Sequence, residues 1–228
     1  MPITVWNLAL PPGFRGLDQA KPVTMYQRHL PHWRQDGASY FVTFRLADSL
    51  PQEKLQEIRK LREEWERAHP LPRSDQAWEQ FAKQMITRLE AWLDQGMGAC
   101  RLRPEWAARI IEEALLFFHG SHYDLGCFVV MPNHVHGIIR PLEPSARPLE
   151  KILQSRKRTT AARINAASSR QGKLWQEESF DRIIRDEEHL YRCIQYIGNN
   201  PCKAHLPRNE WRRWIQPEWV ALGWRFED

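Results

Sequence analysis

The 228-residue sequence is short of the features that mark several common classes. No apolar run approaches the roughly 20 residues that span a bilayer. Residues 1–12 carry no basic leader ahead of their apolar residues, so neither a membrane protein nor an exported one is expected. The four cysteines, at 100, 127, 193 and 202, form no Cys-x-x-Cys pair, which argues against a zinc ribbon and leaves no disulfide framework to read. A reduced, cytoplasmic protein is expected. Internal repeats and low-complexity segments are missing as well.

Acidic residues are scarce in one stretch. Between residues 147 and 173, Glu150 stands alone against eight basic residues: Arg147, Lys151, Arg156, Lys157, Arg158, Arg163, Arg170 and Lys173. Of the overall net charge of +5, this stretch holds an excess of seven, so the rest of the chain is at −2. Such a block is either a solvated helix face or the contact for a polyanion, with nucleic acid the first candidate. Tryptophan is abundant, eleven in all, and 42% hydrophobic with 27% charged residues is a globular balance. The length suits one well-cored domain.

Residues 39–46, with Tyr40, Phe41, Val42, Thr43 and Phe44, predict a first strand. Asp48-Ser49-Leu50-Pro51 opens a helix whose apolar stripe runs through Leu55, Ile58, Leu61, Trp65 and Ala68 and ends near Pro70 and Pro72. A second stripe, Trp78, Phe81, Met85, Leu89 and Trp92, stops at Gly96, and a third helix runs from Pro104-Glu105 to Gly120. Residues 123–130 and 134–140 predict two strands joined by a tight Pro132-Asn133 turn, a hairpin. Leu149, Ile152, Leu153 and Ile164 mark the apolar side of the basic helix, and residues 175–184 read as another strand. Asp186-Glu187-Glu188 then caps a last helix, expected to stop near Asn200 because Pro201 cannot extend it. Residues 1–38, including Arg28, His29 and Arg34, read as an irregular arm. The order predicts an α+β domain in which helices cover one face of an antiparallel sheet.

Chemistry concentrates in two places. His134-Val135-His136 lies in the second hairpin strand, where alternate side chains share a face, so the two imidazoles stand side by side. They either share one divalent ion or serve as hydrogen-bonded structural residues, and an ion would need a third ligand from elsewhere in the chain. In the last helix Tyr196 and Asn200 are four apart and share a face, while Leu190, Ile194 and Ile197 can pack inward. That face can deliver a nucleophile and a ligand oxygen together, or simply bury an amphipathic tyrosine. A histidine-triad hydrolase would need a third alternating histidine where Ile138 stands.

His134-Val135-His136 resembles the His-hydrophobe-His motif of HUH single-strand nucleases. Tyr196-Ile197-Gly198-Asn199-Asn200-Pro201 resembles the Tyr-Ile-x-x-Asn-Pro segment of the REP-associated tyrosine transposases. Tyr40-Phe41-Val42-Thr43-Phe44-Arg45-Leu46, Met131-Pro132-Asn133, Leu174-Trp175-Gln176, Phe180-Asp181-Arg182 and Ile184-Arg185-Asp186-Glu187-Glu188 are similar to family segments in the same order. The likeness covers about residues 26–206. It departs after Pro201, where Cys202-Lys203-Ala204-His205-Leu206 replaces the usual Val-Lys-Ala-Gly-Leu.

The resemblance implies a ferredoxin/RRM-like HUH nuclease fold over residues 1–206, a helical insertion at about 71–98 and a Trp/Arg-rich tail at 207–228. It implies Tyr196 as nucleophile, with His134, His136 and Asn200 holding Mg²⁺ or Mn²⁺. The expected activity is that of a metal-dependent endonuclease and strand transferase that works through a covalent 5′-phosphotyrosine. Its expected partner is single-stranded or hairpin DNA of repetitive extragenic palindromes, met by a monomer or homodimer. Arg147, Lys151, Arg156, Lys157, Arg158 and Arg163 would track the DNA backbone. The tail is expected either to bind DNA or to pack on the core. The rival expectation is a DNA-binding protein that keeps this fold and does not cleave.

Overall fold

In the computed structural model, which describes residues 7–27, 31–72, 74–142 and 147–227, the chain begins with a two-stranded hairpin of β1 (Thr24–Gln27) and β2 (Pro31–Arg34). Next come β3 (Tyr40–Arg45), then three helices, α1 (Gln52–Ala68), α2 (Asp75–Leu93) and α3 (Glu105–Leu116). The hairpin strands β4 (Tyr123–Val130) and β5 (His134–Pro141) follow, then α4 (Leu149–Ala167), β6 (Phe180–Ile183), α5 (Glu187–Lys203), β7 (Arg212–Ile215) and the short α6 (Pro217–Ala221). Five strands form one sheet in the order β6-β3-β5-β4-β7, every neighbour antiparallel. The α+β class with an antiparallel sheet is as the sequence predicts. Among the described residues no helix is long and apolar enough to cross a membrane.

Helices lie on both faces of this sheet, which corrects the expectation of one covered face. Tyr40, Val42, Phe44, Val135 and Ile139 pack with Ala107, Ile111 and Leu115 of α3 and Ile152, Leu153 and Ile164 of α4. The alternate residues Phe41, Val129 and Ile138 pack with Leu190, Cys193, Ile194 and Ile197 of α5. All six residues of β3 are buried, polar Thr43 and Arg45 included, so the strand is covered on both sides. The face that carries His134 and His136 is therefore the α5 face.

Several boundaries shift. The strand expected at 175–184 narrows to β6, with Trp175 making only an isolated bridge to Leu46. α5 runs past Pro201 to Lys203 instead of stopping near Asn200. A proline in the last turn removes a single donor, and the ladder closes beyond it as Ala204 N–H donates to Asn200 O at 3.0 Å. The arm read as irregular contains β1 and β2, while Arg28 and His29 lie outside the described residues. In the C-terminal segment β7 pairs with β4, and Trp211, Trp219 and Trp224 are buried against α5. Trp219 and Trp224 donate their indole N–H to Pro12 O at 2.9 Å and Ala9 O at 2.8 Å, tying the two ends of the described chain together.

β2 is fastened to β6 by a buried ionic cluster. Asp181 accepts from His32 Nδ1 at 2.8 Å and from both terminal nitrogens of Arg34, while His32 Nε2 faces Glu178 Oε1 at 3.1 Å. Burial by itself lowers the His32 pKa, but hydrogen bonds to Asp181 and Glu178 outweigh it and lift the value to about 9. Asp181 moves the other way: burial pushes it up, and the His32 and Arg34 hydrogen bonds bring it below the ordinary carboxylate value.

Two predictions follow from this packing. A Cβ on Gly126, at the register shift of β4, would sit 2.2 Å from Trp219 Cη2. Gly126→Ala should therefore cost about 2 kcal/mol by overpacking, a Tm fall of roughly 4–8 °C in a domain of this size, and an unchanged Tm would refute that fit. For His32, a folded pKa above the unfolded one stabilises fully below about pH 6.5 and loses that contribution as pH rises through about 9. Asp181 contributes in the opposite sense, lost only as pH falls below its ordinary range. Tm should decline between pH 6.5 and 9, and His32→Gln should flatten that slope; thermal melts across the window decide it.

Candidate functional site

β5 carries His134 and His136 in the middle of the sheet, with Val135 turned into the opposite layer. Their Nε2 atoms face each other at 2.9 Å, and both side chains are wholly buried. Each ring is held from behind. His134 Nδ1 donates to Asn133 Oδ1 at 2.7 Å, and His136 Nδ1 meets Thr43 Oγ1, its cross-strand neighbour, at 2.7 Å. Asn133 is itself fixed, because its Nδ2 donates to Leu93 O and Met97 O at 3.3 and 3.1 Å.

These contacts settle part of the protonation. An amide oxygen only accepts, so His134 carries its proton on Nδ1 and turns a lone pair outward from Nε2. Thr43 can donate or accept, so His136 has two options. It can give an Nε2 proton to His134, or hold its proton on Nδ1 and present a second lone pair to a cation between the rings. Burial lowers the His134 pKa to about 4 against the opposing pull of Asp94 and Asn200. His136 falls well below its usual value through burial first, then through the charges of His134, Arg182 and Lys203. Both imidazoles are neutral near pH 7, the state that ligates metals.

α5 brings the other two residues over the pair. Asp186 caps the helix by accepting from His189 N–H at 2.7 Å, and Glu187 and Glu188 complement its positive end. Leu190, Cys193, Ile194 and Ile197 anchor it on the sheet, which leaves Tyr196 and Asn200 along its flank. The Tyr196 ring stands edge-on to His136 with centroids 5.2 Å apart. Its hydroxyl is buried with no hydrogen-bond partner, and its pKa is held well above the ordinary phenol value by burial, then by the carboxylates of Glu90 and Asp94. Asn200 donates from Nδ2 to Asp94 Oδ1 at 3.2 Å, so its other end, Oδ1, is turned away; that oxygen is buried and has no partner.

The structure thus brings His134, His136, Tyr196 and Asn200 together, and it adds residues that sequence reasoning passed over. Glu90 and Asp94 come from the C-terminal end of α2, inside the stretch read as an insertion. Asp94 also pairs with Lys203 at 2.8 Å. Arg182 of β6 lies over the Phe41 ring at 4.7 Å on the same face. Arg45, the register partner of His134, is buried, donates to Ser49 Oγ at 3.1 Å and has its pKa lowered by burial to about 10. A carboxylate pair four apart beside a Leu-Trp-Leu stripe was the only available signal, and it reads equally as a solvated helix edge.

The six basic residues assigned to DNA divide. Arg147, Lys151, Arg158 and Arg163 are exposed. Arg156 is buried, donating to Ala114 O at 3.1 Å with its guanidinium 4.4 Å from the Phe118 ring centre, and Lys157 donates to Gln176 O and Glu177 O at 2.9 Å each. These two side chains serve the protein's own packing. The apolar side of α4 packs on the face opposite His134 and His136, so the basic helix and the histidine pair are not brought together.

As a metal site the donor set is lean: among the described residues no group of three or more His, Cys, Asp or Glu is placed to hold an ion. What fits is two converging imidazole lone pairs plus the orphaned Asn200 oxygen, three ligands that leave positions for phosphate and water around a six-coordinate ion.

No family model matches the chain. It is 31% identical over 93 residues to an uncharacterized protein of Haemophilus influenzae (strain ATCC 51907 / DSM 11121 / KW20 / Rd), a match that covers 32% of this chain and 52% of that one. The chain thus spans about half the length of that relative. Among solved structures it is similar to a REP-associated tyrosine transposase bound to a REP hairpin, with 17% identity, a TM-score of 0.36, and coverage of 79% of this chain and 73% of the other.

The donor set predicts a metal effect on stability. Mn²⁺ at about a hundred times its dissociation constant should add roughly 2.7 kcal/mol to the folded state. The rise should shrink in Asn200→Ala and vanish in His134→Ala. Thermal melts of metal-free protein with and without Mn²⁺ measure this, and an equal rise in all three proteins would remove these residues from the site.

Proposed function

We propose that this protein is a metal-dependent, single-strand DNA endonuclease and strand transferase of the single-tyrosine HUH kind, acting on hairpin DNA of repetitive extragenic palindromes. The observation that carries the reading is the convergence of the His134 and His136 Nε2 atoms beside an unpartnered Asn200 oxygen, one helical turn from Tyr196. A merely structural histidine pair needs no tyrosine or orphaned amide oxygen beside it. The ordered motif resemblance over residues 26–206 supports the substrate class.

An Mg²⁺ or Mn²⁺ ion held by His134, His136 and Asn200 would supply Lewis-acid polarisation of the scissile phosphate. The chain's own residues supply the rest. Asn133 and Thr43 fix the two rings, and Asp94 fixes the Asn200 amide. Tyr196 Oη attacks phosphorus, the bond from phosphorus to O3′ breaks, and the products are a 5′-phosphotyrosine and a free 3′-hydroxyl. Because the tyrosine ester conserves the phosphodiester linkage, a second 3′-hydroxyl can reverse the attack, which makes the outcome strand transfer. The exposed Arg147, Lys151, Arg158 and Arg163 then contact flanking DNA on the far face of the sheet.

One observation favours a second reading, a DNA binder on the same fold that does not cleave: the Tyr196 hydroxyl is buried, with Glu90 of α2 beside it. A single experiment separates the two. Labelled hairpin DNA from repeats flanking the gene is incubated with the protein and Mg²⁺ or Mn²⁺ and run on a denaturing gel. A metal-dependent covalent adduct is expected, absent in Tyr196→Phe. Retention of the hairpin on a native gel with no adduct under either metal would establish the binder instead.

A further inference from the structure

The proposed chemistry leaves one proton without a destination. Tyr196 must lose its hydroxyl proton as its oxygen bonds to phosphorus, and burial together with nearby carboxylates holds that proton tightly. His136 is the nearest ring, yet its Nδ1 is engaged by Thr43 and its Nε2 faces His134. Asp94 is occupied by Asn200 on one oxygen and Lys203 on the other. Arg182 and Lys203 are cations with no lone pair to offer.

We propose that Glu90 is the proton acceptor for Tyr196, presented by α2 as the turn-for-turn counterpart of the nucleophile. The inference rests on the strand-cleavage reading above and goes beyond it by assigning a role to the α2 insertion. Its geometry comes from two helices in register. Glu90 and Asp94 are four apart on α2, and Tyr196 and Asn200 are four apart on α5, so each pair shares one helix flank. The 3.2 Å hydrogen bond from Asn200 to Asp94 pins one rung of that ladder. One turn back along both helices, Glu90 meets Tyr196.

A second observation points the same way. Glu90 Oε1 and Tyr196 Oη are both buried, and neither has a hydrogen-bond partner. Buried orphans are costly, and these two, on neighbouring side chains, are an acceptor and a donor that can satisfy each other. Catalytic hydrogen bonds are often open before substrate arrives. The groups that face Glu90 are Arg182 from β6, Asp94 from α2, and Lys203 and Tyr196 from α5. Burial dominates, with Asp94 adding to it and the two cations opposing, and the carboxyl is raised to about 7, the range in which a general base works at neutral pH.

The step balances. The Tyr196 proton passes to the Glu90 carboxylate as the bond from Oη to phosphorus forms. The bond from phosphorus to O3′ breaks, and the departing 3′-oxyanion takes a proton from solvent. In strand transfer an incoming 3′-hydroxyl gives its proton to solvent, and the released Tyr196 oxygen recovers its proton from Glu90.

The test uses the full chain, hairpin DNA and Mn²⁺, and follows single-turnover adduct formation from pH 6 to 9. Wild type should rise with pH through a single midpoint. Glu90→Gln should lower the rate by roughly 10²–10⁴-fold and lose that midpoint, with hairpin binding on a native gel unchanged and Glu90→Asp recovering part of the rate. A Glu90→Gln protein that forms adduct at the wild-type rate overturns the role of Glu90 while leaving the strand-cleavage reading intact. Wild type that binds hairpin and never forms adduct overturns both. Carboxyl-carbon NMR on the metal-free wild type keeps the test independent of how well the variant folds. A glutamate titrating near 7 whose midpoint moves in Tyr196→Phe supports the pairing, and a Glu90 resonance in the ordinary carboxylate range, indifferent to Tyr196→Phe, refutes it.

Discussion

Two neutral imidazole nitrogens facing each other at 2.9 Å, in the central strand of a sheet covered on both faces, are the constraint from which the surrounding architecture follows. Each ring is a polar group withdrawn from water, and each stays there only because a partner is supplied from behind. Thr43 comes from β3, which fixes the β3–β5 register, and Asn133 comes from the hairpin turn, which its amide ties to the end of α2. A slip of one residue in that register would turn both histidines into the α3 and α4 layer and Val135 into the site. The two-sided cover keeps them neutral, because burial penalises the charged imidazolium.

The position of α2 follows from the same constraint. Its apolar residues Leu89, Trp92 and Leu93 pack with Leu50, its Trp78, Phe81 and Met85 pack with Trp33 and α1, and its last turn is left against α5. There Asp94 orients the Asn200 amide and holds Lys203, while Glu90 lies beside Tyr196. An amide can be rotated by half a turn at little cost in shape. The hydrogen bond to Asp94 decides which end of Asn200 faces the imidazoles, and so whether the site offers an oxygen ligand or an N–H. A segment that reads as a decoration is in this way part of the site.

Local periodicity made much of this legible. His134 and His136 share a face because strands alternate, and Tyr196 and Asn200 share one because helices turn every 3.6 residues; both follow from spacing alone. Tyr40, Phe41, Val42 and Phe44 put apolar side chains on both faces of β3, a sign of two-sided burial, although one covered face was expected. What spacing does not reveal is which distant element supplies a partner. Glu90 and Asp94 look like the polar flank of any amphipathic helix, and only the docking of α2 on α5 distinguishes them. Charge counting likewise cannot tell Arg156 and Lys157, turned inward to backbone carbonyls, from Arg158, turned out. β7 is four residues long, with Trp211 before it and Trp214 within it, too brief for alternation to show.

The electrostatics of the site bear on what its proposed ligands would meet there. Asp94 caps the C-terminal end of α2, and Asn200 and Lys203 stand in the last turns of α5, so both helices bring their negative ends toward the histidine pair. Glu90 and Asp94 add carboxylates there, and Arg182, Lys203 and Arg45 supply positive charge in return. A phosphodiester arriving there would meet Asp94, Glu90 and two helix carbonyl ends opposed by the cations Arg182, Lys203 and Arg45. A divalent cation would have the two imidazoles and the orphaned Asn200 oxygen to bind, once the His136 proton sits on Nδ1. On the proposed reading an ion held by His134, His136 and Asn200 would add its positive charge to that of the cations already facing the phosphate. The same carboxylates act on the tyrosine: burial first, then Glu90 and Asp94, keep the Tyr196 phenol protonated.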